Sequence, residues 1–250
     1  MFELKGKVAF ITGGSRGIGR AIALGLAQQG VSVVINYVRH RRDAEDTVAA
    51  IEELGGSCLA LKGNVASEED TGAMFAEIKK RYRNLDILVS NAASGVLKPF
   101  MELTTRHWNW AMDINARALL NLSQHAVEMM PKGGRIIAVS SLGAVRAVHN
   151  YTVVGASKAA LESLVRHMAV ELGPREITVN TISAGVVDTD ALKKFPNRDE
   201  IIKTSLERTP LGRLTLPEDV ANLAVFLCSD MASMIHGQTV FVDGGYAIQG

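Results

Sequence analysis

Short apolar runs alternate with longer amphipathic stretches along the whole chain. Several of these runs are apolar nearly throughout, which is typical of strands covered by helices on both faces. Runs that predict strands occupy 7–12, 31–37, 58–64, 86–90, 135–140, 177–183 and 239–244. Stretches with helical periodicity occupy 16–29, 43–54, 68–83, 106–130, 150–172 and 217–229. This alternation predicts an α/β fold with a doubly wound, seven-stranded parallel sheet and helices on both faces.

Composition and charge narrow the class of protein. The 250 residues are 47% hydrophobic and 21% charged, and their formal net charge is +1. No linker or repeat interrupts the pattern, so residues 1–250 are expected to form one domain. The near-zero net charge gives no reason to expect nucleic acid or an anionic membrane as a partner. Apolar runs stay shorter than the roughly 18 residues that a membrane span needs.

The N-terminal segment and the cysteines indicate a compartment. The first predicted strand begins without a preceding signal peptide, so a cytoplasmic protein is expected. Cys58 and Cys228 lie in apolar segments without a second cysteine at metal-ligand spacing. We interpret both as free thiols in a reducing compartment and predict no metal site.

The segment 188–210 has the least regular pattern in the chain, and its length makes it a candidate substrate lid. Its apolar side chains either line an acyl-chain cleft or pack onto the core; they are Leu192, Phe195, Ile201, Ile202 and Leu206. Its basic side chains are Lys193, Lys194, Arg198, Lys203 and Arg208. They form either a docking surface for an acidic carrier protein or, as is more usual, a solvated helix face.

A glycine-rich turn follows the first predicted strand directly and opens the first helix. Gly13, Gly17 and Gly19 allow the backbone a tight turn and a close approach to a pyrophosphate, with Ser15 and Ile18 between them. The following helix N-terminus supplies N–H donors and the positive end of a dipole. The alternative is an ordinary strand-to-helix loop, but the position after strand one favours a Rossmann-type dinucleotide site.

The end of the second predicted strand discriminates between cofactors. An acidic residue there binds the ribose 2′-hydroxyl of NAD, but this chain has Asn36-Tyr37-Val38-Arg39. Arg39 and Arg16 could clamp a 2′-phosphate by charge-assisted hydrogen bonds. Arg39 could instead belong to the solvated basic run 39–42. The missing carboxylate and the two arginines favour NADPH over NADH.

These motifs resemble those of the short-chain dehydrogenase/reductase family over essentially the whole chain. The family's glycine motif is Thr12 to Gly19, and its asparagine turn after strand four is Asn91-Ala92-Ala93. Further matches are Asn64-Val65, Asn115, Ser140 and the turn Ser183 to Thr189. The resemblance implies that the cofactor contacts Asn64, Val65, Asn91, Ala92, Gly185, Val187 and Thr189.

The chain departs from the family's usual tyrosine-lysine pair. Val154 stands four residues before Lys158, where the usual tyrosine would be, whereas Tyr151 stands seven before it. The spacing Tyr-x6-Lys marks the enoyl-[acyl-carrier-protein] reductase branch. Together with the glycine loop and Asn91 to Leu97, it resembles the type III, NADPH-dependent enoyl reductases of Gram-positive bacteria.

The longer spacing suits reduction of a conjugated double bond. Seven residues are close to two helical turns, so Tyr151 and Lys158 would share a helix face roughly 10 Å apart. In an enoyl thioester, hydride adds to the β-carbon while charge builds on the carbonyl oxygen two carbons away. A more distant hydrogen-bond donor is then required, and Tyr151 would stabilise that oxyanion.

The resemblance assigns Lys158 to the nicotinamide ribose and makes Ser140 and Asn115 candidates for polar support. The alternatives are a strand-end serine and a helix-surface asparagine. The expected function is NADPH-dependent reduction of trans-2-enoyl thioesters on acyl carrier protein, the last step of fatty-acid elongation. Alternatives are a ketone or alcohol oxidoreductase of the same family, such as a 3-oxoacyl thioester reductase, and a catalytically silent NADPH-binding protein. The resemblance also implies a homotetramer.

Overall fold

The computed structural model describes residues 2–189, 192 and 198–249. Seven strands form one sheet. They are β1 (Val8–Ile11), β2 (Ser32–Tyr37), β3 (Cys58–Lys62), β4 (Ile87–Ser90), β5 (Arg135–Ser141), β6 (Thr178–Ala184) and β7 (Thr239–Val242). The strand order is β3-β2-β1-β4-β5-β6-β7, and every pair is parallel. The direction of the order reverses between β1 and β4, and ligands of such sheets bind at the carboxyl ends beside that reversal.

Helices cover both faces of the sheet. They are α1 (Gly17–Gln28), α2 (Arg41–Glu53), α3 (Glu68–Arg81), α4 (Thr105–Met112), α5 (Ala118–Met129), α6 (Thr152–Leu172), α7 (Arg198–Arg208) and α8 (Pro217–Cys228). One buried cluster joins the sheet to α1, α2 and α8. A second cluster joins the opposite face to α3, α5 and α6. The predicted single doubly wound α/β domain is therefore confirmed.

The helix predicted over 106–130 is divided in the structure. Between α4 and α5 the chain makes a π turn, Asp113–Arg117. Its central residue, Asn115, is 1% exposed and hydrogen bonds outside its own helix. A π turn widens the helix locally and is often found at functional positions, but the apolar periodicity on its two sides does not reveal it.

The segment 188–210, predicted to be irregular, contains helix α7. Ser205 is its buried residue, so the helix shows no apolar stripe that a sequence pattern would reveal. Leu192 is buried, whereas Leu206 is exposed. Phe195, Lys193 and Lys194 lie outside the described residues. Within the described residues, no helix is both long and apolar enough to cross a membrane.

Candidate active site

The glycine loop between β1 and α1 presents backbone rather than side chains to the carboxyl edge of the sheet. Gly13 and Gly17 have φ of +63° and +53°, a conformation that other residues rarely adopt. A Cβ at Gly19 would collide with the carbonyl oxygen of Gly13. Helix α1 begins at Gly17 with no side-chain cap and no acidic residue in its first turn. Its first N–H groups and positive dipole end are therefore available to an anion.

Side chains at the end of β2 and just after β1 and β4 brace this loop. The Thr12 hydroxyl oxygen accepts from the backbone N–H groups of Asn91 and Ala92, both at 3.0 Å. The Asn91 side chain donates to the Thr12 carbonyl at 2.9 Å. Asn36, 1% exposed, accepts from the Gly13 N–H at 3.3 Å and donates to the Gly63 carbonyl at 2.7 Å. The two asparagines thus fix the loop across the strand-order reversal.

A cavity of about 930 Å³ opens along this edge of the sheet. Most of the residues that the sequence selected line it, namely Gly13, Ser15, Arg16, Gly17, Ile18, Gly19, Arg39, Asn91, Ala92, Ser140, Tyr151, Lys158, Gly185, Val187 and Thr189. The volume is in the range of small-molecule and cofactor sites. Residues from the ends of five strands and their loops therefore converge on one site.

Asn64 and Val65, which the resemblance assigns to cofactor contact, are not among the residues that line this cavity. The Asn64 N–H donates to a carboxylate oxygen of Asp70 at 2.7 Å, and its side-chain oxygen accepts from the Ala66 N–H at 3.1 Å. Val65 is 3% exposed within the core. In this structure the pair shapes the turn into α3.

Tyr151 lies just before α6 rather than within it. Asn150 has a left-handed φ of 58°, so the chain turns there and the helix begins at Thr152. The expected placement of Tyr151 and Lys158 on one helical face is therefore wrong for the tyrosine. Its ring lies against Gly143, where an added Cβ would be 2.5 Å from two ring carbons. The tyrosine still lines the cavity together with Lys158.

The serine beside this tyrosine is Ser141, not Ser140. The hydroxyl oxygens of Ser141 and Tyr151 are 3.3 Å apart, within hydrogen-bonding distance. Ser140, 4% exposed, instead donates to Glu162 at 2.6 Å. Successive side chains of a strand point to opposite faces, and that alternation separates the two hydroxyls. Ser140, selected by the family resemblance, therefore lies beside Glu162, and the hydroxyl in contact with Tyr151 is that of the next residue, Ser141.

Burial changes the acid–base properties of the pair. It raises the pKa of the Tyr151 phenol above its ordinary value, and the contact with Ser141 opposes this effect. At neutral pH the phenol is therefore protonated and able to donate. Lys158 is 5% exposed and donates from Nζ to the Val139 carbonyl at 2.7 Å. Burial lowers the pKa of this lysine to about 8, and the nearby Glu162 charge acts in the opposite direction.

Val154, which holds the usual tyrosine position of the family, belongs to the core. It is 8% exposed and clusters with Ala111 and Val153. A Cβ added to Gly95 would collide with its side chain. Val154 therefore faces away from the lining of the cavity, and the position is filled by packing rather than by a catalytic group.

Asn115 connects three segments behind the site. Its side chain exchanges hydrogen bonds with the backbone of Ser94, both at 2.8 Å. It also donates to the Ser157 hydroxyl at 2.8 Å. Asn115 therefore holds the loop after β4 against α6, and the cavity lining does not include it.

The two ends of the cavity differ in chemistry. At the end of β2 the lining includes Arg16, Tyr37, Arg39 and His40, without a carboxylate from that strand. On the side of β5 to β7 the lining includes the apolar side chains of Leu142, Val148, Leu192 and Ile201 together with Asp188, Glu200, Thr204 and Ser205. The end at β2 fits an anionic group, and the other side offers both apolar and polar contacts.

Comparisons with known proteins agree with this geometry. The family described as Enoyl-(Acyl carrier protein) reductase matches residues 13–247. The chain is 42% identical to the 1-cyclohexenylcarbonyl-CoA reductase of Streptomyces collinus, over 97% of this chain and 87% of that one. It is 36% identical to the hydroxynaphthalene reductase-like protein Arp2 of Metarhizium brunneum, over 97% and 96% of the two chains.

Solved structures are similar over nearly the whole length. A short-chain dehydrogenase/reductase from Serratia marcescens has a TM-score of 0.92 at 35% identity and covers 98% of this chain and 99% of its own. A short-chain dehydrogenase from Burkholderia cenocepacia in complex with NADP has a TM-score of 0.91 at 34% identity, with the same coverage. On these grounds the chain belongs to the short-chain dehydrogenase/reductase family of oxidoreductases.

Proposed function

We propose that this protein uses NADPH to reduce the C2–C3 double bond of trans-2-enoyl thioesters, as in the type III enoyl-[acyl-carrier-protein] reductases that its sequence resembles. The observation that carries the proposal is the position of the tyrosine. Tyr151 lines the cavity with Lys158, whereas Val154 is buried in the core. The name of the Streptomyces relative, a 1-cyclohexenylcarbonyl-CoA reductase, also specifies a double bond conjugated to a thioester carbonyl.

The site fits a nicotinamide dinucleotide phosphate. The uncapped start of α1 and the three glycines provide a backbone cradle for a pyrophosphate. Arg16 and Arg39 line the end of the cavity where the 2′-phosphate of NADPH would be bound. Members of the family use nicotinamide cofactors, and a similar solved protein from a metagenomic library contains NADPH. NADPH is accordingly the cofactor of this protein.

Bound NADPH would supply the hydride that adds to C3, leaving NADP⁺, and a proton from solvent would then add to C2 of the enolate. The Tyr151 phenol, protonated at neutral pH, donates a hydrogen bond to the thioester carbonyl oxygen and stabilises the charge that develops there. Ser141 orients that phenol through the 3.3 Å contact between the two hydroxyls. Lys158 in its protonated form would add positive charge near the oxyanion and would hold the nicotinamide ribose. Leu142, Val148 and Ile201 in the lining would contact the acyl chain.

A comparison of substrates tests the proposal directly. Crotonyl and acetoacetyl thioesters, each carried by coenzyme A and by acyl carrier protein, are offered with NADPH while its absorbance is followed. We expect oxidation of NADPH with the crotonyl substrates and little with the acetoacetyl ones. Preference for acetoacetyl thioesters would favour the ketone-reductase alternative. NADPH binding without turnover of any substrate would indicate a silent binding protein.

The carrier and the assembly are further parts of the proposal. If acyl carrier protein is the natural carrier, KM for the carrier-linked crotonyl substrate should be lower than KM for the coenzyme A form. Trp108 and Trp110 of α4 are 47% and 43% exposed, and such exposed aromatic side chains support self-association. We expect light scattering after gel filtration to give the mass of a homotetramer.

A further inference from the structure

A buried carboxylate lies behind the pair formed by Tyr151 and Lys158. Glu162 is 5% exposed and lies one helical turn after Lys158 on α6. Within the described part of the chain, Glu162 forms no ion pair, and its side-chain partner is the Ser140 hydroxyl at 2.6 Å. Burying a carboxylate is costly unless hydrogen bonds and a compensating charge stabilise it. Lys158 is a cation close enough to supply that charge.

Lys158 and Glu162 together tie α6 to the end of β5. Lys158 donates to the carbonyl of Val139, and Glu162 accepts from the hydroxyl of the next residue, Ser140. The residue after that is Ser141, whose hydroxyl lies 3.3 Å from the Tyr151 hydroxyl. Lys158 and Glu162, one helical turn apart on α6, therefore hold Val139 and Ser140 of β5 in place. The next residue of that strand, Ser141, contacts Tyr151.

Uncharged polar groups of β5, Ser140 and Ser141, share the cavity lining with Lys158. Tyr151 lines the same cavity and is neutral at pH 7 because burial raises its pKa. The other charged side chains of the described lining are Arg16, Arg39, Asp188 and Glu200, and Asp188 is paired with Arg198. The charge that acts on the pKa of Lys158 is that of Glu162.

We propose that Glu162 is a positioning residue for the reduction, acting through its bond to Ser140 and through its negative charge beside Lys158. The inference rests on the proposed function for its catalytic consequence, but its effect on cofactor binding is independent of the substrate. The carboxylate favours the protonated form of Lys158, which binds the cofactor ribose, and keeps the end of β5 where Ser141 reaches Tyr151.

The test is the pH dependence of Glu162→Gln. The amide keeps an oxygen that can accept from Ser140 but removes the charge, so the lysine loses its proton at lower pH. We expect the basic limb of the kcat/KM profile to move down by about one pH unit. NADPH affinity, followed by fluorescence, should decline over the same lower range. An unchanged limb in a folded Glu162→Gln variant would overturn the proposal.

Two matched variants separate charge from hydrogen bonding. Ser140→Ala removes the hydrogen bond and leaves the charge, so kcat should fall several-fold while the basic limb stays in place. Glu171→Gln neutralises an exposed glutamate on the same helix and should change neither property. If Ser140→Ala moves the limb as far as Glu162→Gln does, packing and not charge is responsible, and the proposal fails.

Glu162→Asp covers the case in which the glutamine variant does not fold. The shorter carboxylate keeps the charge, so the basic limb of NADPH binding should stay at its wild-type pH even if turnover falls. A displaced limb in Glu162→Asp would contradict the proposal. Because NADPH binding is measured without an acyl substrate, the outcome stands whichever thioester the enzyme reduces. A wild-type protein that binds no NADPH would instead refute the proposed function.

Discussion

The two loops that meet at the cavity use different parts of the polypeptide. The glycine loop, residues 12–19, presents backbone N–H groups, and its shape depends on the absence of side chains at Gly13, Gly17 and Gly19. The loop 141–151 presents one phenol, and its shape depends on the contact of that ring with Gly143 and on a left-handed Asn150. The first loop binds by its backbone, and the second acts through a side chain. Damage to the first should therefore affect cofactor affinity, and damage to the second should affect turnover.

The largest expected effect tests the side-chain loop. Tyr151→Phe removes the donor to the developing oxyanion and should lower kcat by about 10²–10⁴ with little change in NADPH affinity. Tyr82→Phe is the matched control, since the buried Tyr82 hydroxyl has no hydrogen-bond partner among the described residues. Steady-state kinetics and NADPH titration measure both variants. A loss of tenfold or less would make Tyr151 a spectator.

Two glycine variants compare the loops directly. Gly19→Ala would force a Cβ against the carbonyl oxygen of Gly13, and Gly143→Ala would force one against the Tyr151 ring. We expect Gly19→Ala to weaken NADPH binding, and Gly143→Ala to lower kcat about a hundredfold by displacing the phenol. Gly72→Ala, on α3 with no atom within 4 Å of an added Cβ, is the neutral control. If Gly19→Ala and Gly143→Ala changed NADPH affinity and kcat in the same proportion, the assignment of the glycine loop to binding and of the 141–151 loop to turnover would be wrong.

A smaller effect is expected at the outer end of the nucleotide region. Arg39→Asp replaces a cation with an anion where the 2′-phosphate would be bound, so NADPH affinity should fall by roughly tenfold or more. NADH, which has no 2′-phosphate, should bind about as well as before or better. Arg42→Asp removes a neighbouring exposed charge that does not line the cavity, and serves as the control. Equal losses for both cofactors would show that Arg39 only adds general charge.

The smallest effect tests the backbone of the side-chain loop. Asparagine adopts a left-handed conformation more readily than alanine, so Asn150→Ala should destabilise the fold by about 1 kcal/mol. Asn150→Gly, which tolerates φ of 58°, should cost less. Thermal unfolding gives the stability and steady-state kinetics give kcat. Equal stability of the two variants would argue that the turn is not strained.

The sequence predicted the sheet and the glycine loop because both depend on local pattern. Buried parallel strands are apolar throughout, and a glycine turn between a strand and a helix has few other uses. The tyrosine-lysine spacing could also be read, since it needs only a count along the chain. These features required no knowledge of which distant segments would meet.

The remaining features depend on contacts between distant segments. Ser140 and Ser141 have different partners because their side chains point to opposite faces of β5. Glu162 can be assigned a role only once the structure shows that α6 packs beside that strand. The backbone N–H of Asn64 donates to Asp70 at the start of the next helix, a contact that the sequence pattern did not indicate. Helix α7 is too polar for its apolar periodicity to be recognised.

The packing of Val154 against Gly95 has a consequence for how such enzymes diverge. A tyrosine introduced at 154 would meet the backbone of the 94–96 loop, which Asn115 holds in place through Ser94. A lineage exchanging one reaction for the other would therefore have to remodel this loop and the residue facing it together. A larger side chain on either side of this contact is therefore expected to require a compensating change on the other side.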